Sequence, residues 1–471
     1  MKALTKIKYH LIGIGGIGMS AIAFLLLSEG HEVYGSDMKD SDIIKRLKEK
    51  GAKIFIGHKE ENLKKDIDKV VISSAIPEEN PELKRARELK IPVLKRSQIL
   101  GELMKKKLGI AIAGTHGKTT TTTLISLILE RANYDPTILV GGEVKNIGGN
   151  FKFGQGLYFI SEACEYDRSF LDFNPKIGLI TNIEADHLDY YKNLEEIVDA
   201  FAEFGAKLPK EGFLVIGLDN PNTRKILDQI KTKKIGYGIS SIEGISNPDE
   251  YWQVKEIEMG NGKTKFALEG PQHQLFHFTI KLPGIHNVLD ATGAFVLAYN
   301  LGVDPEVARD VIYEFEGVKR RFEKKGEEKG ILVIDDYGHH PTEIQATLFG
   351  IRQFYPKRRL ICVFEAHQYS RTRFLLEDFA KSFSEADEVI IPEIYAVRDK
   401  EEDIKAISGK DLAQAIKKGS CKNTKYIGEY NEIVNYLLKT LKENDLLLTM
   451  GAGNIYKVGE LILKKLRGGE R

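Results

Sequence analysis

Three cysteines in 471 residues and a single tryptophan leave little room for a disulfide scaffold or a metal knuckle. Cys164, Cys362 and Cys421 are far apart and match no metal-ligand spacing, which suits a reducing, cytoplasmic setting. Neither sign of charge dominates: 69 basic against 68 acidic residues give a formal +1, which argues against a broad nucleic-acid footprint. There is no internal repeat and no low-complexity segment. No apolar run is long enough to cross a bilayer, so no membrane insertion is expected. The stretch from Leu11 to Leu27, preceded by Lys2, Lys6 and Lys8, superficially resembles a signal peptide. It carries Gly13, Gly15, Gly16 and Gly18, and Glu29, His31 and Glu32 stand where small residues should mark a cleavage site. It reads instead as the opening strand, turn and helix of a folded unit.

The rest is an ordinary globular composition, 42% apolar and 29% charged, in a chain too long for one core. Gly114-Thr115-His116-Gly117-Lys118-Thr119 follows the apolar run Leu108 to Ala113 and precedes a helix-like stretch from Thr120 to Arg131. A buried strand breaking into glycines, then Gly-Lys-Thr, then a helix makes a phosphate cradle of backbone N–H groups at a helix N-terminus. Lys118 would reach the outer phosphates and the Thr119 hydroxyl would hold Mg²⁺. The full pattern has a further glycine where this chain has Ile112, so the loop is a variant. Near the N-terminus, Gly13-x-Gly15-x-x-Gly18 follows the strand-like Tyr9 to Ile12, and Asp37 stands where an acid could bind a ribose.

Three consecutive α/β domains follow from the order of apolar strands and intervening helices: residues 1–106, a Rossmann-like unit; 107–319, a central unit opened by the phosphate loop; and 320–471, a second Rossmann-like unit. Around residues 250–282 short alternating strands replace the buried ones, and a helix from Asn287 to Leu301 closes the central unit. Acidic groups cluster on loops after its strands. Glu162, just beyond the strand 157–161, is placed to ligate a metal, and His187 is placed to assist; Glu184 and Asp186 face the same way. For Glu165, Asp167 and Asp189 a solvated acidic loop is the preferred reading. Lys319-Arg320-Arg321 is either a solvated basic face or a hinge arginine that reaches a terminal phosphate. Asp335-Asp336-Tyr337-Gly338-His339-His340 sits at the C-terminal end of a strand, where α/β sheets place their ligands. Glu365 to Arg373 follows another strand, and Arg371 could grip a carboxylate with two parallel hydrogen bonds. No Ser-His-Asp or Cys-His arrangement is legible.

These segments, with Asn182-Ile183-Glu184-Ala185-Asp186-His187-Leu188-Asp189, His286-Asn287 and Arg320-Arg321-Phe322, occur in the order seen in Mur ligases, and the chain resembles that family over essentially its whole length. The resemblance is strongest to the branch that couples L-alanine to UDP-N-acetylmuramate with ATP. It implies a UDP-sugar pocket around Gly13, Gly15, Gly16, Gly18, Ser36, Asp37 and Ser74, rather than an NAD site. It implies ATP binding by residues 107–319 through Gly114, Thr115, His116, Gly117, Lys118, Thr119 and Thr120. Asn287 would contact adenine, Arg320 or Arg321 the γ-phosphate, and Asp336 the ribose. Mg²⁺, or Mn²⁺ in its place, would be held by Thr119, Glu162 and His187, with Glu165 the alternative acid. Tyr337, His339, His367 and Arg371 would line the muramate and alanine end in residues 320–471. Lys118, His187, His339 and Arg371 would be catalytic. A monomer or weak homodimer is implied. Two departures stand out: Cys164 where many relatives carry an acid, read as a small buried filler, and Gln368 where some carry an arginine.

Overall fold

The computed structural model describes residues 6–73, 75–144, 147–188, 190–241, 248–260, 262–397 and 399–468. Three sheets follow one another along the chain. The first has five parallel strands: β1 (Lys8–Ile12), β2 (Glu32–Asp37), β3 (Lys53–Ile56), β4 (Lys69–Ile72) and β5 (Val93–Lys95), in the spatial order β3-β2-β1-β4-β5. The direction of winding reverses between β1 and β4, and the glycine turn after β1 opens into that crevice. The helix Ile17–Ser28 begins inside this turn.

The second sheet has ten strands: β6 (Leu108–Ala113), β7 (Thr137–Val144), β8 (Gly149–Lys152), β9 (Tyr158–Glu162), β10 (Ile177–Ile180), β11 (Phe213–Gly217), β12 (Lys233–Gly238), β13 (Glu250–Gly260), β14 (Lys263–Glu269) and β15 (Leu275–Ile280). Its order is β15-β14-β13-β12-β11-β10-β6-β9-β7-β8, with β8, β14 and β15 antiparallel to their neighbours. β6 is buried along nearly its whole length, as a central parallel strand must be. It lies between β9 and β10, so the loops after all three strands emerge side by side. β14 and β15 alternate because only one of their faces is covered; it packs on the helix Ile285–Asn300 through Phe278 and Phe295, whose rings are 4.8 Å apart.

The third sheet takes β16 (Glu323–Glu328), β17 (Ile331–Asp336), β18 (Arg359–Phe364), β19 (Glu388–Ile391), β20 (Thr424–Tyr426) and β21 (Asp445–Met450) in the order β16-β17-β21-β18-β19-β20. Only β16 is antiparallel. The mixed α/β character and three-sheet order agree with the sequence; the strands β3, β8 and β20, three or four residues each, are too short to be read from it.

The units are not loosely strung. One apolar core runs from Leu11 and Leu26 through Met104 to Phe170 and Phe201, joining the first two. Asn150 of β8 donates to the Ile17 carbonyl at 2.9 Å, and Phe151 stacks on Phe24 with ring centres 6.5 Å apart. Among the described residues no helix is long and apolar enough to cross a membrane.

Candidate active site at the junction of the second and third units

The turn after β6 is set by Gly117, whose φ of 82° places it in the left-handed region that side chains disfavour. The helix then runs from Lys118 to Arg131, two residues earlier than the sequence suggested. Asn182, beyond β10, secures the loop from the side: its Oδ1 accepts from His116 N at 2.9 Å and its Nδ2 donates to the His116 carbonyl at 3.1 Å. The Thr115 hydroxyl accepts from Glu184 N at 2.8 Å. The loop is therefore preformed: the Thr115 and His116 N–H groups are spent on Asn182, and the first N–H groups of the helix Lys118–Arg131, which have no partner within the helix, are those left to meet a phosphate.

Lys118 folds back over this loop. Its Nζ donates to the carbonyls of Gly114 and Thr115 and lies 2.9 Å from Glu165 Oε2. Burial alone would lower the ammonium; the Glu165 carboxylate outweighs it and the pKa is raised. Glu165 corrects the sequence reading: it is 2% exposed, the buried counter-charge of Lys118 rather than a solvated acid. Asp167 does meet solvent and pairs with Lys95 at 2.7 Å. Cys164 is half-buried, and burial pushes its thiol up to about 11, so it is held protonated.

Glu162 closes the other side of the loop. Its Oε1 accepts from Gly141 N at 2.6 Å, the Thr119 hydroxyl lies beside it, and burial raises its pKa despite these partners. A desolvated carboxylate and a hydroxyl at the mouth of a phosphate loop are hard oxygen donors, a set that fits Mg²⁺. His187, with a φ of 54°, sits against Tyr166 with ring centres 5.0 Å apart. Its Nε2 is 3.8 Å from both Glu165 Oε1 and Asp186 Oδ2.

A cavity of about 370 Å³ lies beside the loop, between the second and third units. His116, Gly117, Thr119, Thr120, Asn287, Arg321 and Asp336 line it, so seven of the residues assigned to ATP in the sequence share one wall system. The volume suits a nucleotide-sized ligand. Asn182, Asp219 and Asp290 line it too and were not singled out from sequence as nucleotide contacts. Gly114, Thr115 and Lys118 form the adjoining loop. Arg320 points elsewhere: it pairs with Asp335 at 3.1 Å and donates to the carbonyls of Gly451 and Gly453. Of the two adjacent arginines, Arg321 is the one on the cavity. Asp336 accepts from Phe322 N at 2.8 Å and Gly338 N at 2.7 Å, and burial raises its pKa.

The third unit is held to the second by charge. His116 stands between two carboxylates, Nδ1 3.1 Å from Glu343 Oε1 and Nε2 3.3 Å from Glu184 Oε2. Burial opposes the imidazolium, but the two acids prevail and push its pKa up to about 10. Glu343 also caps the helix Pro341–Phe354, accepting from His339 N at 2.8 Å. His339 lies 5.4 Å from the Tyr337 ring and 6.0 Å from His367, centre to centre; burial pushes it down to about 3, so it stays neutral. Arg371 reaches from the third unit to Asp186 Oδ1 at 2.9 Å and lies 3.4 Å from His367 Nδ1. Gln368, beside them, is held at a φ of 72°.

The glycine turn of the first unit is organised by Asp37, whose Oδ2 accepts from Gly15 N at 2.8 Å. Ser36 is fully buried rather than facing the crevice: its hydroxyl donates to Glu82 at 2.7 Å, and His10 lies 2.6 Å from the same oxygen. The expected contact Ser74 and the loop acid Asp189 lie outside the described residues. The sequence reading overlooked Arg96, whose guanidinium covers Gly18 so closely that a Cβ there would overlap it.

Three family models cover the chain in succession: the "Mur ligase family, catalytic domain" over residues 8–108, the "Mur ligase middle domain" over 112–298 and the "Mur ligase, glutamate ligase domain" over 320–453. A UDP-N-acetylmuramate–L-alanine ligase of Caldanaerobacter subterraneus subsp. tengcongensis is 47% identical over 465 residues, 98% of each chain. That of Alkaliphilus metalliredigens is 47% identical over 456 residues, 96% of each. The solved UDP-N-acetylmuramate-alanine ligase of Thermotoga maritima superposes with a TM-score of 0.80 at 28% identity, covering 98% of this chain and 100% of its own. On this evidence the chain belongs to the Mur ligase family.

Proposed function

We propose that the chain joins L-alanine to the lactyl carboxylate of UDP-N-acetylmuramate at the expense of ATP, releasing ADP and phosphate, in peptidoglycan precursor synthesis. The similarity to the two bacterial ligases, end to end, supports the reaction. The observation that carries the mechanism is an unbroken line of ionisable side chains across the junction, each within 4 Å of the next. It runs from Lys118 to Glu165, His187, Asp186, Arg371 and His367, linking the phosphate loop to the side chains assigned to the muramate and alanine end.

In this reading residues 1–106 hold the sugar nucleotide, 107–319 hold ATP, and 320–471 supply the amino-acid end. A carboxylate cannot expel oxide, so the lactyl oxygen attacks the γ-phosphorus first, forming an acyl phosphate and releasing ADP. The alanine amine then adds to the acyl carbon and phosphate departs. Lys118, released from Glu165, and Arg321 on the cavity wall meet the charge that develops on the transferred phosphoryl group. His339, neutral and with Nδ1 3.1 Å from the Tyr337 carbonyl, faces the second step without adding positive charge that would oppose the cation developing on the attacking amine. Arg371 and His367 place the amino-acid carboxylate. Thr119 and Glu162, with His187 behind them, would hold Mg²⁺, which when bound neutralises phosphate charge. The cytoplasm, where ATP and the sugar nucleotide are found, is the proposed location.

The test is phosphate release with ATP, UDP-N-acetylmuramate and single amino acids. Release that requires both the sugar nucleotide and L-alanine supports the assignment. Release indifferent to either overturns it.

A further inference from the structure

We infer that Asp290 meets the nucleotide as the neutral acid, so that ATP binding carries a proton into the site. The inference rests on the reading of the cavity as the ATP pocket and goes beyond it by assigning a residue and a linked proton. Asp290 lies on the helix Ile285–Asn300 directly beneath the phosphate loop: a Cβ built on Gly117 would overlap its Oδ1. It is 6% exposed and lines the cavity.

No cation answers it. Among the described residues nothing lies within ion-pair distance of this carboxylate. From the loop, His116 is committed to Glu184 and Glu343. From the third unit, Arg321 is directed to Glu343 at 3.7 Å and to the Tyr337 ring, with Asp336 beyond. On its own helix, His286 is kept neutral by burial, its pKa pushed down to about 4. From β12, Tyr237 is raised well above its ordinary value by burial and by Asp290, and Asp219 adds a further negative charge nearby. From the helix Lys118–Arg131 comes Thr121, a buried hydroxyl with no other partner. Lys118 itself is turned away to Glu165.

Burial pushes the Asp290 carboxyl up to about 7, with Thr121, Arg321 and His116 only partly opposing it. A triphosphate laid on the loop above brings more negative charge into the same dry space. An ionised Asp290 would repel it, whereas the acid form can donate a hydrogen bond to it. Well above neutrality the free chain must take up one proton per nucleotide bound, and the apparent Kd for ATP then rises by about tenfold per pH unit. Below neutrality the acid is already formed and no uptake is needed.

The experiment is titration calorimetry of the whole chain with MgATP and no acceptor, at pH 8, in two buffers of unequal ionisation heat. The expected result is an uptake of about one proton per ATP. Asp290→Asn, a near-isosteric neutral amide, is expected to bind ATP with a Kd that stays flat from about pH 7 to 9 and with that uptake lost. ATP binding without proton uptake by the unaltered chain overturns the inference while leaving the nucleotide pocket intact. Equal uptake by Asp290→Asn overturns it as well. Absence of ATP binding by the unaltered chain defeats the nucleotide reading of the cavity and this inference with it. The proton count on the unaltered chain stands whether or not the variant folds.

Discussion

Arg371 and Asp186 face each other across the junction of the second and third units, guanidinium nitrogen to carboxylate oxygen at 2.9 Å, both nearly sealed from solvent. Burial would raise the Asp186 carboxyl, but Arg371, followed by His187 and His339, holds it far below the usual carboxylate range. Removing one partner leaves the other charge buried and alone, at a cost of about 2–5 kcal/mol. Arg371→Ala should therefore lower kcat/KM for L-alanine by at least about a hundredfold while leaving ATP binding near normal. In a double-mutant cycle with Asp186→Asn the two losses should fall well short of additive. Additive losses would mean that the pair does not act as a unit.

His116 makes a second latch with a definite pH signature. Its folded-state pKa, about 10, lies above the ordinary 6.5. A raised pKa contributes stability that is complete below about pH 6.5 and is lost as pH climbs through about 10. Glu184 and Glu343 stay ionised across that range, because both are shifted downward, so they do not mask the effect. Melting temperature should fall between about pH 7 and 10, and His116→Gln should be less stable at neutral pH by about 3 kcal/mol with a flatter profile. A variant that keeps the unaltered slope would place the titration elsewhere.

What the sequence disclosed follows from the range over which residues interact. The phosphate loop lies in consecutive residues, so its strand–turn–helix form was readable, as were β6, β17 and β21, buried on both faces and each built around an apolar run. Glu165 was misread because its partner Lys118 is 47 residues away, and Glu343 answers His116 across 227. An acid's burial depends on what folds over it, and the local pattern Glu-Ala-Cys-Glu does not carry that information. Ser36 was placed in the crevice because it adjoins Asp37, yet successive residues of β2 point to opposite faces: the Asp37 side chain reaches the glycine turn, whereas Ser36 meets it only through its carbonyl, which accepts from Gly13 N and Ile14 N. Arg96 went unnoticed for the converse reason: it opens the helix Arg96–Met104, far along the chain from the glycines it covers.

Gly117 is exposed to two penalties at once. Its φ of 82° costs any other residue about 1 kcal/mol or more, and a methyl group there would also collide with Asp290. Gly117→Ala should lower the melting temperature and weaken ATP binding by at least tenfold. Calorimetry with MgATP reads the second effect and thermal denaturation the first. Normal ATP affinity in a folded Gly117→Ala protein would show that the loop does not need this conformation to receive phosphate.

The Lys118–Glu165 pair separates charge from placement. Lys118→Ala removes the cation assigned to the transferred phosphoryl group and should reduce kcat by about 10³. Glu165→Gln keeps the shape but loses the counter-charge, so the ammonium is held only by the carbonyls of Gly114 and Thr115. A loss of about tenfold in kcat is expected, with little change in KM for the sugar nucleotide. Single-turnover phosphate release distinguishes the two. A Glu165→Gln enzyme as inactive as Lys118→Ala would give the acid a direct part in the chemistry.

Arg96 bears on the sugar-nucleotide end. It is half-buried against Gly18, where the helix Ile17–Ser28 begins, and no acid pairs with it among the described residues. The first turn of that helix carries no acidic side chain, so its N-terminal N–H groups and the guanidinium present positive charge in one direction. A diphosphate is the ligand chemistry that matches, since a planar guanidinium can bind its oxygens with two parallel hydrogen bonds. Arg96→Ala should raise KM for UDP-N-acetylmuramate by about 10- to 100-fold at saturating ATP and L-alanine, with kcat changed far less. Arg96→Lys should recover only part of the loss, because an ammonium keeps the charge without the fork. An unchanged KM in Arg96→Ala would move the diphosphate away from this turn, and with it the assignment of residues 1–106 to the sugar nucleotide.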